Sequence, residues 1–196
     1  YNITTAFCYS PTVQQYFSVN SLNRLPDTQE LTSVFSNTLL LNDRILSVYL
    51  YNADAKQIAS MGKNFSIDTS VLNTDAVMDI RASHLKSNEK RPYYELIFPV
   101  YDLNSIQYQK LLGTCVFVLE PESFDDTLQN AQSTEDAVVF LLDSSDCILA
   151  SAGSVQSCGS TLASEILHST SEKYFFTQTL SCNAWKIAGF LPESDL

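Results

Sequence analysis

Basic residues are scarce in this chain. Eleven Lys and Arg stand against 22 Asp and Glu, a net charge of −11. Binding a phosphate backbone needs a basic surface that releases counterions, so nucleic acid is disfavoured as a partner. An anionic leaflet is disfavoured on the same ground. Glycine (5) and proline (6) are few in 196 residues, which argues against a fibrous or low-complexity chain. No apolar run approaches the ~18–20 residues that cross a bilayer, and no signal-peptide pattern is present. The chain opens on Tyr1 rather than Met, which is expected of a piece of a longer protein.

Catalytic signatures are missing as well. The two histidines, His84 and His168, are far apart in sequence and in no metal-ligand spacing. GxSxG, GxxxxGK[ST] and GxGxxG do not occur. Ser83-His84-Leu85-Lys86 matches SxxK by letters but lacks the SDN and KTG partners. Asp125-Asp126 and Asp143/Asp146 read as solvated helix and turn carboxylates rather than as acid pairs. The expectation is no enzyme, no cofactor and no metal site. Five cysteines are an odd number without a CxxC pair. Cys115, within LLGTCVFVL, reads as a buried apolar-like side chain. Cys158 and Cys182 lie in loop-like surroundings and can pair in an oxidising compartment, although spacing does not fix connectivity.

What is present is a core-forming composition that says the same thing twice. Hydrophobic residues make up 45%, with 10 Tyr and 11 Phe suited to strands. VYLYNADAKQIAS (48–60) and VFLLDSSDCILAS (139–151) each read as strand, polar turn and return strand. FVLEPES and AGFLPES then close at Ser123 and Ser194. Two echoes in the same order predict two copies of one small sheet-containing unit.

The remaining elements follow from spacing. Ser10-Pro11 is a helix start, with Ser as N-cap and Pro at the first helical position. Val13, Tyr16 and Phe17 give an apolar stripe, and Leu31, Val34, Phe35, Thr38 and Leu39 a second. Asp27 with Glu30 resembles a capping box. Helical material is expected over roughly the first forty residues, bent near Pro26. In Ile45–Tyr51 both alternating sets are largely apolar, which predicts a central strand. Residues 61–92 read as polar and irregular, with helical fragments near 68–80. Strands are expected over Tyr94–Tyr101, Leu111–Leu119, Tyr174–Leu180 and Trp185–Phe190, with helices over Pro121–Gln132 and Thr161–Leu167. Trp185 reads as core. The class is α+β with antiparallel hairpins, and a Rossmann or barrel architecture is disfavoured.

One island runs against the acidic background. Arg81, Lys86, Lys90 and Arg91 gather with His84, beside Tyr93 and Tyr94. Such a group can hold a carboxylate or phosphate while the rings cover its apolar part. The alternative is a loop whose cations face water.

NDRILSVYLYNADAKQIAS, the pair YYELIFPVYD and LLGTCVFVLE, then AVVFLLDSSDCILAS and NAWKIAGF together resemble the extracellular double-Cache region of bacterial sensor histidine kinases, most closely the YesM-like kinases. The resemblance implies a long N-terminal helical stalk (1–43), a membrane-distal PAS-like module (44–131) and a membrane-proximal one (132–196). It implies a ligand-sensing input domain on the extracellular face of a bacterial plasma membrane, anchored through flanking segments and acting as a homodimer. In that setting Val13, Tyr16 and Phe17 would pack on a twin. Arg91-Pro92-Tyr93-Tyr94 imitates the RxWY-type motif of amino-acid binders with Tyr for Trp, and Val118 or Glu120 stands near the position of the expected Asp; amino-acid binding is not carried over. Arg81, His84, Arg91, Tyr94, Tyr101 and Asp102 are the expected ligand-binding residues, for a small molecule with an anion favoured. The alternative is a surface binding or adhesion domain, or a chemoreceptor ectodomain, without kinase signalling.

Overall fold

Two runs of aromatic and aliphatic residues, each folded back at a polar turn, lie at the centres of two separate antiparallel sheets. The structure is a computed structural model and describes residues 2–21, 28–72, 78–83, 91–104, 110–132, 134, 136–153, 173–180 and 184–192. The first sheet has strands β1 (Ile45–Asn52), β2 (Gln57–Gly62), β3 (Asp79–Ala82), β4 (Tyr94–Tyr101) and β5 (Leu111–Leu119), in the order β2-β1-β5-β4-β3. The second has β6 (Val138–Leu142), β7 (Ile148–Ala152), β8 (Lys173–Thr179) and β9 (Lys186–Pro192), in the order β7-β6-β9-β8. Over the four positions they share, the two orders are the same.

The duplication extends to single hydrogen bonds. In the β1–β2 turn, Asn52 N–H donates to the Lys56 carbonyl (2.9 Å), and Asn52 Oδ1 accepts from the N–H groups of Asp54 (3.0 Å) and Lys56 (2.9 Å). In the β6–β7 turn, Asp143 N–H donates to the Cys147 carbonyl (3.0 Å), and its Oδ1 accepts from Ser145 (2.7 Å) and Cys147 (2.9 Å). Asn and Asp suit this position because a short side-chain acceptor satisfies turn N–H groups. Three residues on, Ala55 (φ 56) and Asp146 (φ 62) both enter the left-handed region. Both hairpins then close on a glycine, Gly62 (φ 106) and Gly153 (φ 105). A Cβ there would stand 2.2 Å from the Leu46 carbonyl oxygen or 2.5 Å from that of Ala137.

Three short helices cover one face of the first sheet: α1 (Asn2–Cys8), α2 (Pro11–Ser21) and α3 (Thr28–Leu41). A long N-terminal helix is therefore not what forms. The break between α1 and α2 has a local cause: Pro11 has no N–H to continue the α1 ladder and disfavours helical backbone at Ser10. Ser10 instead caps α2, its Oγ accepting from Val13 N–H (3.3 Å). Val13, Tyr16 and Phe17 are buried within this unit, which corrects the expectation that they meet a twin. They join Leu31 and Phe35 of α3, Val48 and Leu50 of β1, Leu96, Phe98 and Val100 of β4, and Phe117 of β5. Phe7 sits between Phe35 (5.3 Å between centroids) and Phe117 (5.5 Å). Each such side chain contributes about 1.5–3 kcal/mol by leaving water.

Residues 61–92 are less irregular than their composition suggested, since β3 lies within them; a 3-10 turn occupies Thr69–Val71. In the second sheet Val138, Phe140, Leu142, Ile148, Ala188 and Phe190 form the core, and α4 (Asp125–Ala131) packs Leu128 inward. Trp185 is buried, edge-on to Phe124 at 6.1 Å. Asp27, His168, Cys158, Cys182 and the expected helix at 161–167 lie outside the described residues. The chain divides into Tyr1–Arg81 with Tyr94–Glu120, and Ala82–Tyr93 with Pro121–Leu196. The N-terminal helices thus belong with the first sheet, and the segment joining β3 to β4 belongs with the second.

Because a side chain cannot be accommodated at either hairpin glycine, Gly62→Ala and Gly153→Ala should each destabilise the protein by about 1–3 kcal/mol. Denaturant titration of the two variants measures this.

Candidate functional site

The pleat of the first sheet sorts its side chains into two faces. Val48, Leu50, Leu96, Phe98 and Phe117 point to the helices. The residues between them point the other way, and strand register aligns them in rows: Ser47 with Val118 and Glu95, Tyr49 with Val116 and Ile97, Tyr51 with Thr114 and Pro99. This second face is buried as thoroughly as the first but sets polar and aromatic side chains among Val116, Val118 and Ile97, with Ser47, Tyr49, Tyr51, Glu95 and Thr114 all under 9% exposed.

A loop covers part of it. The Tyr49 hydroxyl donates to the Lys63 carbonyl (3.0 Å) and accepts from Phe65 N–H (2.6 Å), and the Ser47 hydroxyl also donates to the Lys63 carbonyl. The rings of Tyr49 and Tyr51 stack, 6.3 Å apart. Burial pushes the Tyr51 phenol up to about 12, with Tyr49 and the Glu95 carboxylate adding to the rise by opposing a second negative charge.

Strand β3 borders β4 and supplies the cation. Met78 and Ile80 pack toward the helix-side cluster, so Asp79 and Arg81 fall on the polar face. Arg81 Nε lies 3.5 Å from Asp79 Oδ2. It is buried and makes no hydrogen bond among the described residues. A guanidinium N–H left without an acceptor away from water is costly, and a bound carboxylate or phosphate oxygen would relieve that cost.

The other expected residues go elsewhere. Arg91 lies with the second sheet, where it forks Asp125 (Nη1 to Oδ2 2.8 Å, Nη2 to Oδ1 2.6 Å) and stands 3.9 Å from Glu122. Tyr94 is fully buried and in phase with Leu96 and Phe98, on the helix side of the pleat. Tyr101 ends β4 after a register shift, and its carbonyl accepts from Gln14 Nε2 (3.1 Å). Asp102 makes a turn, accepting from Asn104 N–H (2.9 Å). His84 lies outside the described residues. Among the described members of the expected set, Arg81 alone shares the polar face with Glu95, Tyr49, Tyr51 and Thr114. Three of these had a signal in the sequence: Tyr49 and Tyr51 in the odd-numbered set of β1, and Glu95 as the one Glu inside the apolar run YELIFPV. Among the described residues no three His, Cys, Asp or Glu side chains gather as a metal site, and no helix is long and apolar enough to cross a membrane.

No protein-family model matches the chain, and no curated protein is detectably similar to it. Its fold is nevertheless shared with solved ectodomains. The extracellular domain of the putative histidine kinase rpHK1S-Z16 superposes with a TM-score of 0.58 at 13% identity, covering 99% of this chain and 93% of that one. The ligand-binding domain of the Pseudomonas aeruginosa PAO1 amino-acid chemoreceptor PctC, solved with GABA, gives 0.53 at 15% identity, over 91% and 87%. An extracellular ligand binding receptor from Desulfohalobium retbaense gives 0.53 at 11%, over 81% of this chain; the chain spans 32% of that receptor. The fold of this chain is therefore that of extracellular sensor domains found on histidine kinases and chemoreceptors.

Tyr51 provides a check on the polar face. Its phenol is raised above the ordinary 10.0, so the unfolded chain loses this proton first. Its contribution to stability is complete below pH 10 and is lost as pH rises through about 12. Denaturant titrations across that window should show falling stability, with a shallower fall in Tyr51→Phe.

Proposed function

We propose that this chain is the extracellular ligand-sensing region of a membrane receptor, with a small anionic molecule bound on the polar face of the first sheet. Arg81 binds the anion, and Tyr51, Glu95 and Thr114 shape the floor on which it rests. The first unit is the membrane-distal module and the second the proximal one. Ligand binding favours one of two arrangements of the distal module, and the difference in affinity between them is the whole of the signal. The output is a kinase of the two-component type, reached through a membrane segment and acting as a homodimer. The chemoreceptor neighbour supports a second output on the same input fold.

The observation that carries the reading is Arg81 Nε, buried on a polar face with no hydrogen-bond acceptor among the described residues. Arg91 serves differently: its guanidinium is held by Asp125 at the start of α4. A thermal-shift screen of organic acids, phosphates, amino acids, sugars and short peptides tests the assignment. An anionic hit should raise Tm with concentration, the stabilisation reaching about 2.7 kcal/mol at a hundredfold excess over Kd. Arg81→Ala should abolish that shift, whereas Arg91→Ala should keep it and lower the starting Tm. A carboxylate or phosphate hit that survives Arg81→Ala unchanged refutes the site.

A further inference from the structure

Strands β2 and β3 stand at opposite edges of the first sheet, so the chain that leaves Gly62 has to cross the sheet before Asp79. Its first residues cross on the polar face, where Ser47 and Tyr49 receive them. Gly62 (φ 106) turns the backbone, and Lys63 N–H donates to the Leu46 carbonyl (3.1 Å), which fixes the near end to β1. Farther on, Asp68 Oδ1 accepts from Ser70 N–H (2.9 Å) in the 3-10 turn, and Leu72 is buried. Between these points residues 64–68 belong to no helix or strand, and Asn64 and Ser66 are exposed.

The Tyr49 hydroxyl fastens this stretch. It donates to the Lys63 carbonyl (3.0 Å) and accepts from Phe65 N–H (2.6 Å), with the Phe65 carbonyl 3.4 Å away. Its ring is buried and stacked on Tyr51, so the hydroxyl is delivered to one place. A buried phenol needs partners, and the backbone of the crossing stretch provides them. We propose that residues 64–68 form a strap that closes over the polar face, with Gly62 and Lys63 as its hinge and the Tyr49 hydroxyl as its latch.

The latch is weak enough to open while the sheet stays paired. A stretch outside the strand ladders, fastened through a side-chain hydroxyl and carrying exposed residues, lies at the low end of local stability. One net hydrogen bond shifts such an equilibrium by a factor of about 5–10. Closed, the strap lies over Tyr49, whose row continues through Val116 and Ile97 toward β3. Opening it admits a small molecule to that row, so the latch sets the rate of entry and exit. Tyr49 is a positioning residue in this scheme: it holds the strap and does not touch the anion. That the molecule admitted is the ligand rests on the reading of this face as the anion site. The latch itself does not.

Amide hydrogen exchange of the full chain, read residue by residue by NMR, gives the test. Tyr49→Phe keeps the ring and removes the latch. It should speed exchange of Phe65 N–H about 5–10-fold and leave Lys63 N–H, which is bonded to Leu46, unchanged. In a Val116→Cys background, iodoacetamide labelling at position 116, beside Tyr49 in its row, should accelerate by a similar factor when Tyr49→Phe is added. An unchanged Phe65 N–H or an unchanged labelling rate overturns the proposal. So does equal acceleration at Phe65, Lys63 and the β5 amides, which marks general destabilisation. Wild-type protein decides the matter if a variant fails to fold: in low denaturant, exchange of Phe65 N–H should be nearly flat while that of the β5 amides rises steeply. Equal slopes overturn the strap. None of these measurements uses a ligand, so a missing latch is told apart from a missing anion site, which Arg81→Ala tests.

Discussion

Strand β1 is enclosed on both faces, and the two enclosures obey different rules. On the helix side Val48 and Leu50 need only shape and apolar contact. On the other side Ser47, Tyr49 and Tyr51 carry hydroxyl groups out of water, and a buried polar group requires a partner. The loop after Gly62 supplies Ser47 and Tyr49 with theirs at the Lys63 carbonyl and Phe65 N–H. The first unit therefore has a dry face that fixes the helices and a second face whose buried hydroxyl groups are met by backbone partners.

That polarity also separates the two units. The hairpins share their turn geometry and closing glycines, so the shared part is the backbone frame. The side chains on the frame differ. Where β1 has Tyr49 and Tyr51, the corresponding run VFLLD of β6 has Phe140 and Leu142, both fully buried in an apolar cluster. Among the described residues, the buried polar side chains Ser47, Glu95 and Thr114 and the β3 cation belong to the first unit.

Much of this was legible in the chain. Hairpins 48–60 and 139–151, central strand β1, the Ser10-Pro11 helix start and the burial of Trp185 all follow from local alternation, turn chemistry and volume, which the structure keeps. Strand β3 was not legible, because Asp79–Ala82 is four residues long in a polar stretch and is a strand only where it borders β4. Arg81 and Arg91 looked like one basic island. They diverge because the chain passes from one unit to the other between them, and Asp125 claims Arg91.

The sequence by itself determined two like units and the hairpin that opens each sheet, since these depend on neighbours a few residues apart. Tertiary structure alone decided which polar residues share a face and which arginine, among the described residues, keeps an N–H without an acceptor. Those facts depend on strand register and helix docking, in which residues distant in the chain are brought together by burial that no short window of sequence records.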